Sequence, residues 1–201
     1  MTPAYNGSDI DGGAYIHVTD VAHRTPDWLN DVISAWSLYG LALFAVLMVV
    51  AWWRARRAGA PAAVTALAVP LITLAGFGVD LLLKLVVRED RPCQSLHVAV
   101  LEGCPAPGDW SFPSNHAAIA AAAAVALLFV SRRLGAVALI AAVLMAASRV
   151  WVGVHYPHDV LAGCALGALV AAVCARSVRS RQRALADRLV GGRLRPLLTT
   201  A

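Results

Sequence analysis

"PAAVTALAVPLITLAGFGVDLLLKLVVREDRP", Pro61 to Pro92, decides the fold. From Pro61 to Val87 the only charged residues are Asp80 and Lys84. That is more than the ~20 apolar residues a helix needs to cross a bilayer. The run then ends abruptly in Arg88, Glu89, Asp90 and Arg91. Four further apolar runs flank it, at 32–53, 116–130, 134–151 and 160–175. The whole 201-residue chain is 59% hydrophobic and only 14% charged. Its mean hydropathy is +0.66, whereas soluble domains carry about 25% charged residues. A water-soluble bundle is excluded, because five such runs would leave little polar surface. The expectation is an all-α fold, a polytopic membrane helical bundle of about five transmembrane helices.

The ends and links of the bundle carry opposite signals. Residues 1–31 hold no spanning run, and they lack the basic start and continuous apolar core of a signal peptide. They read as an extracytoplasmic, interfacial amphipathic segment, with Thr25-Pro26-Asp27 as a turn before a helix start. Residues 32–176 read as the transmembrane domain, and 177–201 as a basic cytoplasmic tail. Arg54, Arg56 and Arg57 follow the first span, Arg132 and Arg133 the third, and seven arginines from Arg176 to Arg195 the fifth. By the positive-inside rule these segments face the cytoplasm, so the N-terminus and the 88–114 loop lie outside. The net charge of +5 is then a topology signal, and no nucleic-acid partner is expected. Cys164 and Cys174 lie within the last span as packing residues. Cys93 and Cys104 share the outer loop, where an oxidising compartment would allow a disulfide.

Three polar clusters converge on one membrane face: "KLVVREDRP" (84–92), "SFPSNH" (111–116) and "SRVWVGVHYPHD" (148–159). One such cluster could be simple headgroup anchoring; three on one face make a site. Lys84, Arg91 and Arg149 are cations suited to a group with several anionic oxygens. Pro113, Ser114 and Asn115 open a helix, where free backbone N–H groups favour an anion. His155 and Asp159 form a nucleophile and its orienting carboxylate, and His116 can protonate a leaving oxygen. The site is rich in cations and poor in carboxylates, the reverse of a magnesium phosphatase site, so neither metal nor cofactor is expected. Asp80, four residues before Lys84, is expected to pair with it or with a neighbouring helix. His158 reads as a surface residue, Arg88 as a snorkelling one, and His17, His23 and His97 as interfacial or loop residues. Gly163 and Gly167 form a small-xxx-small pattern suited to helix contact within the chain.

These clusters resemble the three signature motifs of the type 2 phosphatidic acid phosphatase family, whose superfamily includes bacterial acid phosphatases and vanadium haloperoxidases. Lys84, Arg91 and Pro92 match the first motif. Pro113, Ser114, Asn115 and His116 match the second, with Asn115 in place of the usual glycine. Ser148, Arg149, His155 and Asp159 match the third. The resemblance implies a metal-independent lipid phosphatase acting through a phosphohistidine on His155, with Asp159 as orienting partner and His116 as acid. Lys84, Arg91, Ser114, Asn115 and Arg149 would bind phosphate. Short length and a short N-terminal region resemble bacterial undecaprenyl pyrophosphate phosphatases, which recycle the wall-synthesis lipid carrier at the outer face of the plasma membrane. The partners implied are a lipid phosphate or pyrophosphate and the surrounding membrane lipids. Phosphatidylglycerol phosphate and phosphatidic acid present the same headgroup chemistry. A lipid phosphotransferase, or a non-enzymatic lipid binder, would reuse the same pocket.

Overall fold

A computed structural model describes residues 5–199, and in it the chain is helical with no strand among the described residues. The helices are α1 (Ser8–Arg24), α2 (Asp27–Tyr39), α3 (Leu41–Ala58), α4 (Ala60–Val87), α5 (Pro92–Ser95), α6 (Asn115–Leu128), α7 (Arg132–Trp151), α8 (Pro157–Val190) and α9 (Arg195–Leu198). Helices α4, α7 and α8 are each long and apolar enough to cross a membrane. The first expected span is broken: α2 and α3 qualify only together and bend by 53°. The break falls at Gly40, where a Cβ would press on the Trp36 carbonyl and on the Met145 side chain. A larger residue there would have to displace the Trp36 carbonyl as well as the tip of Met145. The third expected span, α6, has only 14 residues.

Helix α6 is the axis of the bundle and packs against α3, α4, α7 and α8. Its sequence "NHAAIAAAAAVALL" is nearly all alanine, and Ala117, Ala118, Ala120 to Ala124 and Ala126 are buried. Small side chains let backbones approach closely, which replaces hydrophobic driving force inside a bilayer. A Cβ at Gly167 on α8 would collide with the Ala118 carbonyl, and one at Gly163 would lie 2.6 Å from the Ser114 carbonyl. The glycine pair is therefore spent on the α6–α8 contact inside the chain. Large residues close the core further out: Phe44, Leu47, Val69, Ile72, Leu127 and Met145.

The up-and-down path sorts the charges. Arg56 and Arg57 end α3, Arg132 and Arg133 begin α7, and Arg176 to Arg188 ride on α8, which continues helical to Val190. Short α9 folds back at this basic end, burying Leu198 against Ala63, Val64 and Ala186. Lys84, Arg91, His116, Arg149 and His155 fall at the opposite end of α4, α6, α7 and α8. Helix α1 lies across that end, where buried Tyr15 donates through its hydroxyl to the Gly153 carbonyl at 2.8 Å.

Candidate active site

The site is assembled by helix ends. Lys84 sits in the last turn of α4, Arg91 immediately before α5, and Ser114 caps α6. Arg149 lies in the last turn of α7, and Asp159 in the first turn of α8. Pro157 at the start of α8 suits a position that has no intrahelical N–H to donate. Asp159 Oδ2 accepts from the Tyr156 backbone N–H at 2.8 Å, so the carboxylate is fixed by the helix start it caps.

His155 is 2% exposed and lies in the turn between α7 and α8. Arg91 Nη1 is 3.0 Å from His155 Nε2. A guanidinium can only donate, so Nε2 must accept and the ring proton belongs on Nδ1. Nδ1 in turn faces Asp159 Oδ2 at 3.3 Å and Ser111 Oγ at 3.3 Å. Burial, and then the nearby Arg91 charge, push the imidazole down to about 3 against the opposing bond to Asp159. His155 thus presents a neutral nitrogen whose lone pair faces the cationic side of the pocket. Ser111 also donates to Asp159 Oδ2 at 2.5 Å. Its position in "SFPSNH" carried no signal of this, because the bond depends on a loop folding over α8.

The cations are held at carbonyls and loop carboxylates. Lys84 Nζ donates to the Trp110 and Ser111 carbonyls at 2.6 and 3.3 Å. Arg91 donates to the Val154 carbonyl at 2.9 Å, to the Asp109 carbonyl at 2.9 Å and to Asp109 Oδ1 at 3.0 Å. Arg149 Nη1 bonds Ser37 Oγ on α2 and Glu102 Oε2 at 3.2 Å. Glu102 and Asp109 belong to the long loop between α5 and α6; the Cys93–Cys104 disulfide closes the part that holds Glu102. His116, in the first turn of α6, lies within electrostatic reach of Arg149, Arg91 and Lys84. Ser114 Oγ, Asn115 Oδ1 and Arg149 Nε are buried without a hydrogen-bond partner among the described residues. Two of these, the Ser114 hydroxyl and Arg149 Nε–H, are donors that a bound phosphate would satisfy.

Two expectations need correction. Asp80 is fully buried, yet neither oxygen has a hydrogen-bond partner among the described residues. Lys84 turns to the loop carbonyls instead, since its side chain extends past the end of α4 toward the site. His158 is not a surface residue. It is packed between Tyr156 and Phe112 and meets Asp11 and Glu89. Neither carboxylate was readable as its partner, because both come from distant parts of the chain.

Comparison with known proteins identifies the family and the fold. Residues 62–183 match the PAP2 superfamily. An undecaprenyl-diphosphatase of Bacillus subtilis (strain 168) is 39% identical over 102 residues, covering 50% of this chain and 48% of that protein. An undecaprenyl-diphosphatase of Sulfolobus acidocaldarius is 47% identical over 88 residues, 43% of this chain and 42% of the other. A decaprenylphosphoryl-5-phosphoribose phosphatase of Mycobacterium tuberculosis is 40% identical over 107 residues, 53% and 57% respectively. The chain spans about half the length of these curated relatives. The fold matches that of a transmembrane PAP2-type phosphatidylglycerolphosphate phosphatase from Bacillus subtilis. The TM-score is 0.61 at 22% identity, covering 89% of this chain and 87% of that one.

Proposed function

The chain belongs to the PAP2 superfamily, and from that premise we propose that it is a membrane lipid phosphatase that removes a terminal phosphate from a polyprenyl-borne substrate, foremost undecaprenyl pyrophosphate. The observation that carries this reading is the Arg91–His155–Asp159 line, which sets a neutral Nε2 beside cations. A phosphoryl group entering the pocket takes up the donors of Arg91, Arg149, Lys84 and Ser114, and the backbone N–H of Asn115. Arg91 thereby releases Nε2, whose lone pair attacks phosphorus as the bond to the leaving oxygen breaks. His116 gives that oxygen its proton and then accepts one from the water that cleaves the phosphohistidine. Asp159 holds the proton on Nδ1 and balances the charge that develops on the ring. Charge dispersal over the equatorial oxygens is the work of the fixed cations.

Polyprenyl substrates are favoured because three similar relatives bear names of polyprenyl phosphate or diphosphate phosphatases. The active site faces outward in this reading, in a bacterial plasma membrane, with the C-terminus cytoplasmic. Arginines at the opposite end of the bundle support that orientation. The test is phosphate release in detergent from undecaprenyl pyrophosphate, decaprenylphosphoryl-5-phosphoribose, phosphatidylglycerol phosphate and phosphatidic acid. Polyprenyl substrates should lead in kcat/KM, His155→Ala should release none, and EDTA should leave the rate unchanged. Preference for a glycerophospholipid would overturn the substrate. Phosphate appearing on a second lipid would make the protein a transferase, and an active His155→Ala would remove the mechanism.

A further inference from the structure

Behind Asp159 lies a second group of ionisable residues that the phosphatase chemistry does not use. His158 is stacked on Tyr156, with ring centroids 5.4 Å apart and an interplanar angle of 17°, and on Phe112 at 5.9 Å and 29°. Its backbone N–H donates to Asp11 Oδ2 at 2.7 Å, and its Nδ1 faces Asp11 Oδ1 at 2.8 Å. Its Nε2 faces Glu89 Oε1 and Oε2 at 3.0 and 3.2 Å and Asp159 Oδ1 at 3.5 Å. One ligand atom each from Glu89, His158 and Asp159 lies within 4.8 Å of the others. Asp159 is fully buried, and its Oδ1, aimed into this group, accepts no hydrogen bond among the described residues.

Two buried carboxylates converging on one imidazole nitrogen carry a charge that a proton or a cation must offset. The Asp11 contact decides what His158 can offer. With carboxylates at both ring nitrogens the imidazole is held doubly protonated, and a cation would displace the Nε2 proton to take that lone pair while Asp11 keeps the proton on Nδ1. A carboxylate on the far ring nitrogen then orients the imidazole as it does in metal-ligating histidines. One nitrogen and two carboxylate oxygens match the ligand preferences of zinc, cobalt and manganese. His158 keeps 15% of its side chain exposed, so the group is not sealed from solvent. We propose that Glu89, His158 and Asp159 bind a divalent transition-metal cation, oriented by Asp11, and that this ion inhibits turnover by engaging Asp159. An ion on Oδ1 withdraws charge from the carboxylate whose Oδ2 fixes the His155 proton, so the nucleophile loses control of its tautomer. The inhibitory effect rests on the phosphatase reading; the binding itself does not.

The test uses the full chain, free of affinity tag and stripped of metal, in detergent. Equilibrium dialysis against Zn2+ alone should give one ion per chain at micromolar free zinc, and Co2+ should give a visible absorption band. Saturating Zn2+ should lower phosphate release at least tenfold, and EDTA should restore it. His158→Gln and Glu89→Gln, each compared with its own zinc-free rate, should need at least tenfold more zinc for both binding and inhibition. Asp11→Asn should weaken binding by about tenfold to a hundredfold, the usual cost of losing an orienting partner. No bound ion in the native protein, or equal binding by His158→Gln, would overturn the site. A bound ion without inhibition would overturn its regulatory role. Binding is read without substrate, so failure of the phosphatase reading is separately visible.

Discussion

Asp159→Asn isolates the step on which the chemistry turns. Asp159 Oδ2 accepts from three donors, Ser111 Oγ, the Tyr156 N–H and His155 Nδ1. An asparagine is nearly the same shape but has one acceptor oxygen and one NH2. The Tyr156 N–H can only donate and so holds the one oxygen in place, whereas the Ser111 hydroxyl can turn to donate or accept. All three contacts fall on Oδ2, so an oxygen kept there turns the NH2 to Glu89 and His158 and leaves only a neutral amide to balance charge on the His155 ring, while the reverse placement aims the NH2 at His155. When it meets His155, Nδ1 can only accept, the proton moves to Nε2, and Nε2 confronts the Arg91 donor 3.0 Å away. Hydrogen bonds to charged groups contribute about 1.5–3 kcal/mol, and an unsatisfied buried group costs about 1–3 kcal/mol. Inverting this bond therefore costs about 3–5 kcal/mol in the reactive tautomer, or roughly 10²–10⁴ in kcat at 1.36 kcal/mol per tenfold. KM should change little, because none of the phosphate-binding cations is touched. Phosphate release on the preferred lipid, with helicity and melting temperature as folding controls, reads both parameters. A variant that keeps more than a tenth of native kcat would refute the tautomer argument.

Three other outcomes follow from the same structure. Gly167→Ala places a methyl against the Ala118 carbonyl, so α6 and α8 must separate, and a loss of several kcal/mol is expected in detergent unfolding; Gly78→Ala, which meets nothing nearby, is the control. Opening the Cys93–Cys104 loop by Cys93→Ser with Cys104→Ser should cost about 3 kcal/mol of stability for a loop of this length and loosen Glu102 from Arg149. The depressed His155 makes stability depend on acid: below about 6.5 the unfolded imidazole takes up a proton that the folded one refuses until about 3. That contribution is present above pH 6.5 and lost as pH falls toward 3, so the melting curves of native protein and His155→Gln should converge on acidification; parallel profiles would contradict the burial argument.

Residue types and spacing made much of this legible, because phosphate chemistry demands particular side chains. Lys84, Arg91, Ser114, Asn115, His116, Arg149, His155 and Asp159 all fall at one end of the bundle, as their places on alternating apolar runs required. The broken first span was illegible: the chain stays near helical angles at Gly40, and its close approach to Met145 of α7 is a contact without local signature. Ser111, Glu102, Asp109 and Ser37 were missed for a related reason. Their roles come from a long loop and a bent helix that the folded bundle places beside the arginines. His158 was misread because its partners, Asp11 and Glu89, stand 147 and 69 residues away.

The brevity of α6 has a mechanical consequence. Its 14 residues rise about 21 Å at 1.5 Å per residue, against a hydrocarbon layer about 30 Å thick. Ser114 to His116 open that short axis, so in the proposed reading a bound phosphate sinks below the headgroup plane, or the lipid sheet pinches inward to meet it. The proposed activity should then depend on acyl-chain length in the host bilayer, with shorter chains lowering the distance a charged headgroup must travel.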